Sequence, residues 1–230
     1  MRNGFNVGLV KGAMVPAYRS GANNLRGSEV QQMPPETVQL HDLLAEIRSC
    51  RQCEPQLPLG ANPVVRASCT AKMLIVGQAP GTRVHATGIP WNDPSGERLR
   101  DWLDLEKSVF YDESRIGIVP MGFCYPGKGK SGDLPPRAEC APLWHERLIE
   151  QMPEVELVLL VGSYAQGHYL GNSRETLTER VRRWRDFGPR YLPMPHPSPR
   201  NNLWLRRNAW FESALLPELR RRVRRLVLRD

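Results

Sequence analysis

Apolar residues along this chain follow two rhythms, short unbroken runs and helical spacing, and the two alternate from Met73 onward. Met73 to Val76, Arg115 to Val119, Glu156 to Val161 and Arg190 to Met194 carry compact apolar runs that stop at glycine or proline, so each reads as a short buried strand. The stretches between them repeat apolar residues every three or four positions. Thr37 to Ser49 presents Val38, Leu40, Leu43, Leu44 and Ile47 on one face, and a helix opening at Pro94-Ser95-Gly96 buries Leu99, Trp102, Leu103 and Leu105. Further helices are expected from about Arg137 to Gln151, after the Gly162-Ser163 turn, over Thr176 to Asp186, and from Asn208 to Leu228. Strands alternating with helices predict an α/β fold, a three-layer α/β/α sandwich around a central, mainly parallel sheet of about four strands. Residues 1–35 are polar, rich in Gly, Asn, Ser and Gln, and lack any period. They read as a disordered tail ahead of one domain over residues 36–230.

Length and composition fit that single domain, with 230 residues of which 40% are hydrophobic. No apolar run approaches the roughly 18 residues of a membrane span, and the N-terminus lacks a signal-peptide core, so a cytoplasmic protein is expected. Its five cysteines then read as ligands or free thiols rather than disulfides. The charge changes the picture more. The net charge is +8, and from Arg200 to Asp230 nine arginines face three carboxylates. That points to a polyanionic partner, nucleic acid above all, or to a basic surface kept for solubility.

Open α/β sheets bind ligands beyond the carboxyl ends of their strands, and three such ends carry chemistry. Gly77-Gln78-Ala79-Pro80-Gly81 ends the first run in a turn whose glycines admit close backbone approach. Pro120 to Cys124 follows the second and opens into a glycine-rich, basic loop suited to phosphate or to a solvated connection. His196-Pro-Ser198-Pro-Arg200-Asn201 follows the last; its prolines stiffen the turn and place His196 to donate a hydrogen bond to a developing anion.

Together these motifs resemble the uracil-DNA glycosylase superfamily, most closely its iron-sulfur branch, family 4, over about Leu40 to Leu219. Gly77-Gln-Ala-Pro-Gly81 is similar to that branch's Gly-Glu-Ala-Pro-Gly motif. The register runs without a gap to Gly88-Ile-Pro-Trp91, where the family has Gly-x-Pro-Phe, and His196-Pro-Ser-Pro199 resembles the second catalytic motif. Cys50, Cys53, Cys124 and Cys140 match the four cluster cysteines. The resemblance implies a monomeric, monofunctional DNA repair glycosylase that flips a deaminated base, such as uracil, hypoxanthine or xanthine, out of DNA and hydrolyses its glycosidic bond. Trp91, followed by the polar Asn92 and Asp93, would stack on the base, the amides around Gln78 to Gly81 would line the pocket, and His196 would stabilise the departing base. Leu203, Trp204 and Leu205 would supply an apolar wedge, with Arg200, Asn201, Arg206 and Arg207 on the DNA beside it.

Two residues depart from the family pattern. Gln78 stands at the position of an acidic residue that orients or activates water, and an amide cannot take up water's proton. Pro120 stands at the position of an asparagine that reads the uracil edge. Asp93 and His85 are the nearest substitutes for the acid. The departures keep two other functions open, a member that binds damaged or single-stranded DNA without turnover and a hydrolase of nucleosides or nucleotides. The cysteines are likewise expected to hold a 4Fe-4S cluster, with zinc or free thiols as the alternatives.

Overall fold

The structure, a computed structural model, describes residues 35–130 and 132–228. In chain order the elements are helix α1 (Pro35–Ser49), strand β1 (Met73–Val76), helices α2 (Thr82–Thr87), α3 (Pro94–Leu103) and α4 (Lys107–Phe110), and strand β2 (Ile116–Ile118). A small hairpin of β3 (Lys128–Gly129) and β4 (Gly132–Asp133) follows, then α5 (Cys140–Glu150), β5 (Leu157–Val161), α6 (Ser163–Leu170), α7 (Leu177–Arg182), β6 (Tyr191–Met194), α8 (Asn202–Arg207) and α9 (Leu216–Val227).

The main sheet runs β2-β1-β5-β6 with every pair parallel. Met73 lies opposite both Ile116 and Leu157, and Val161 opposite Met194. Alternate side chains leave the two faces of the sheet. Met73, Ile75, Ile116, Leu159 and Leu192 pack with Leu99 and Leu103 of α3 and Leu219 and Val223 of α9. Leu74, Val76, Val158 and Leu160 pack on the other side with Ile47 of α1 and Trp144 and Leu148 of α5. Burial on both faces is why these strands read as unbroken apolar runs, and it makes the three layers.

The differences from the expected elements have local causes. The first helix starts at Pro35, since proline needs no amide partner in a first turn; the rest of the expected tail lies outside the described residues. The helix expected from Arg137 starts at Cys140. Leu105 is buried but lies beyond α3, which stops at Asp104 in a left-handed conformation (φ 57°). The C-terminal helix is broken. Pro217 has no N–H for the Ser213 carbonyl, and Leu216 N donates instead to Phe211 O in a wide turn over Phe211–Leu215. Thr176 to Asp186 divides into α7, capped by Thr176 and Glu179, and a separate 3-10 turn, Trp184–Phe187. The short α2, α4, α8 and the β3–β4 hairpin carry too few apolar residues to show a period. Of the three motif-bearing strands, β2 and β1 are neighbours, and β5 separates β1 from β6. Gly162, at the end of β5, keeps a left-handed φ of 88°; a Cβ there would meet His196 at 3.9 Å.

Candidate active site

A cavity of about 340 Å³ opens beyond the carboxyl ends of the strands, lined by residues 77–81, Pro90, Trp91, Asp93, Pro120, Asp133, His196, Ser198, Arg200 and Asn201 among others. Its first wall is zipped to the second. Met121 N donates to Gly77 O (2.9 Å) and Gly122 N to Gln78 O (3.0 Å), so the loops after β1 and β2 form one backbone surface.

Trp91 is the most constrained residue in this wall. Its backbone is left-handed (φ 56°), a strain of about 1–3 kcal/mol for a non-glycine residue that surrounding contacts must offset. Its carbonyl accepts from Arg100 Nη1 (3.2 Å) and from the Tyr111 hydroxyl (3.4 Å). Its ring lies on Gly77, where a Cβ would come within 2.8 Å of Cζ2, and a Cβ on Gly96 would stand 1.7 Å from its carbonyl oxygen. Both glycines are therefore required by one tryptophan. Arg100 is itself buried, with its guanidinium 5.4 Å from the Phe110 ring centre. Sequence reasoning missed Arg100 and Tyr111, although an arginine inside the apolar block Leu99 to Leu103 was the available signal.

In the same cavity wall the His196 ring lies 5.6 Å from that of Trp91, tilted by 37°. The Ser198 amide donates to His196 Nδ1 (3.2 Å). A neutral imidazole so bonded carries its proton on Nε2, as a donor. Burial lowers the pKa of His196 from its ordinary value, with the Asp93 carboxylate opposing, so the ring is neutral at neutral pH. The turn is braced from behind. Asn201 Nδ2 donates to His196 O (2.7 Å), Ser198 Oγ accepts from Arg200 N (3.3 Å), and Arg98 Nη1 donates to Ser198 O (3.1 Å).

Two carboxylates reach the pocket. Asp93 caps α3 by accepting from Gly96 N (2.8 Å) with Oδ1. Asp133, which the sequence did not single out, comes from β4, and a Cβ on Gly81 would lie 3.6 Å from its Oδ2. Gln78 Nε2 donates to Leu134 O (3.0 Å), tying the first loop to the residue after Asp133. Pro120 turns its carbonyl away to His145 Nε2 (2.9 Å), while His145 Nδ1 meets the Tyr169 hydroxyl (2.7 Å). Burial pushes His145 down to about 4, so the neutral ring donates to Pro120 and accepts from Tyr169.

The family model of the uracil DNA glycosylase superfamily matches residues 65–220, a span that includes every residue of this pocket wall except Val64. The chain belongs to the uracil DNA glycosylase superfamily. DNA is the substrate class of that superfamily, and base removal its general activity. No helix among the described residues is long and apolar enough to cross a membrane.

Against the expectations, the superfamily pocket contains Gln78, Trp91, Asp93, His196, Ser198, Arg200 and Asn201 but neither Asn92 nor His85. His85 packs near Tyr125 instead, at 6.3 Å between ring centres. The side-chain amide of Asn201 is spent on the His196 carbonyl. On α8, Leu203 is 52% exposed beside the exposed Arg206 and Arg207, whereas Trp204 turns inward, donating to Thr178 Oγ1 (2.8 Å), and Leu205 packs on the core.

Cys50, Cys53, Cys124 and Cys140 line a second, smaller cavity, with Arg51, Arg137, Gly122 and Phe123 around it. The Phe123 amide donates to Cys140 Sγ (3.3 Å). Burial pushes the Cys124 thiol up to about 11 and the Cys140 thiol up to about 12. No three His, Cys, Asp or Glu side chains among the described residues are grouped tightly enough for a single metal ion. Cys69 lies elsewhere, 3.7 Å from the Thr37 hydroxyl.

Proposed function

We propose that this chain is a monofunctional DNA glycosylase of the iron-sulfur branch, hydrolysing the bond between a flipped, deaminated base and its deoxyribose. The observation that carries the reading is the neutral His196, its Nε2 proton free to donate, set beside Trp91 in the wall of one cavity. The base stacks on Trp91. As the C1′–N bond breaks, its electron pair leaves on the base, and His196 donates to the base oxygen that gains the charge. The Asp93 carboxylate, held by the α3 N-terminus, faces the cationic sugar. Leu203 fills the space vacated in the duplex, while Arg200, Arg206 and Arg207 hold phosphates.

Cys50, Cys53, Cys124 and Cys140 would hold a 4Fe-4S cluster that ties the end of α1 to the loop before α5. Four sulfurs around one cavity and an amide donating to one of them support it. Four thiolates also suit a tetrahedral zinc ion, and a colourless, zinc-containing preparation would reject the cluster. Binding without turnover is the second reading, prompted by Gln78 and Pro120, and two carboxylates in the pocket count against it. Oligonucleotides carrying uracil, hypoxanthine or xanthine, incubated with the protein and then cleaved by alkali, test the assignment. Strand breaks at one of these bases, lost in His196→Ala, are expected; intact strands throughout would reject it.

A further inference from the structure

Gln78 removes a carboxylate from the first loop, and the hairpin brings another to the same place. Gln78 Nε2 donates to Leu134 O at 3.0 Å, directly after Asp133. A glutamate there would have no proton for that carbonyl. Asp133 Oδ2 approaches the other end of the same loop, within 3.6 Å of a Cβ built on Gly81. Asp93 has one oxygen committed to the Gly96 amide, whereas no group among the described residues hydrogen-bonds the Asp133 carboxylate.

We propose that Asp133 is the catalytic base of this glycosylase, and that Gln78 is a positioning residue holding the hairpin that presents it. The proposal rests on the glycosylase reading. Water bonds to C1′ through its oxygen and gives a proton to the Asp133 carboxylate, while the C1′–N electron pair departs on the base. The products are a sugar hydroxylated at C1′ and a base anion. Asp133 releases its proton to solvent, and the base takes one up.

The charged groups around Asp133 set its pH range. Burial raises its pKa above the ordinary carboxylate value, Arg200 and Lys128 oppose this, and Asp93 adds to it; Tyr125 also faces it. Base catalysis needs the ionised form, so the rate falls on the acid side.

Single-turnover excision from the oligonucleotide panel, between pH 5 and 9, separates the possibilities. Asp133→Asn is expected to slow excision by about 10²–10⁴-fold and to remove the acid limb, while affinity for an abasic oligonucleotide holds. Asp133→Glu should recover part of the rate. Asp93→Asn, which keeps a cap acceptor, should leave the acid limb in place. Gln78→Ala should slow excision by about tenfold and leave that limb in place. A wild-type acid limb that persists in Asp133→Asn, a rate within threefold of wild type, or an acid limb lost only in Asp93→Asn would overturn the proposal while leaving the glycosylase reading intact. Wild-type protein that releases no base would instead reject that reading.

Discussion

The base pocket and the cysteine cavity share one stretch of chain, residues 120–140, and are held in opposite ways. The pocket is open and complete in its own side chains: a strained Trp91 is clamped by Arg100, Tyr111, Gly77 and Gly96, and a histidine is locked in one tautomer by a backbone amide. The cysteine cavity is lined by four partly buried sulfurs, and on the proposed cluster it is completed only by an inorganic core. Preorganised protein dipoles suit the chemistry, where charge develops and vanishes in each turnover. A permanent group suits the anchor.

That contrast predicts separable losses. The largest should come from the anchor: Cys140→Ser should bleach the brown chromophore and lower unfolding stability by about 4 kcal/mol or more, read by absorbance and denaturant titration. A colourless wild-type protein with bound zinc would break the comparison. His196→Ala should do the reverse, cutting excision by about 10²–10³-fold with colour and melting temperature unchanged.

His145 couples the two regions through Pro120, and its effect depends on pH. The folded-state pKa of about 4 lies below the ordinary 6.5, so its contribution is complete above pH 6.5 and is lost as pH falls through 4. About 3 kcal/mol should disappear over that window and be absent from the dependence of His145→Gln, with denaturation at pH 7 and pH 4.5 as the comparison. Arg100→Met should cost about 1–3 kcal/mol by leaving the Trp91 carbonyl short of a donor. Trp91 fluorescence and the Michaelis constant should shift with it, while the cluster spectrum stays. The smallest effect is Leu203→Ala, about tenfold weaker excision from duplex and little change from single strands, because only a duplex leaves a hole to fill.

Much of the molecule was legible in the order of its residues. The apolar runs located the strands of the main sheet, since a parallel sheet covered on both faces admits little else. Gly77 to Gly81 and His196 to Asn201 were recognisable because each motif is local, its turn chemistry written in consecutive residues. The short α2 and α8 and the β3–β4 hairpin were not recognisable, because no periodicity develops in so few residues. Asn201 shows what a motif leaves unsaid: nothing in its position beside Arg200 shows that its amide is bonded to the His196 carbonyl.

Composition, periodicity and local turn residues thus sufficed for the α/β class, the basic surface and the two pocket loops, because short-range sterics and burial set them. The hold of Tyr111 on the Trp91 carbonyl, the meeting of the Trp91 and His196 rings and the arrival of Asp133 over Gly81 depend on residues distant in sequence meeting in space. Each requires the sheet to be assembled before its partner exists, so no local pattern records it.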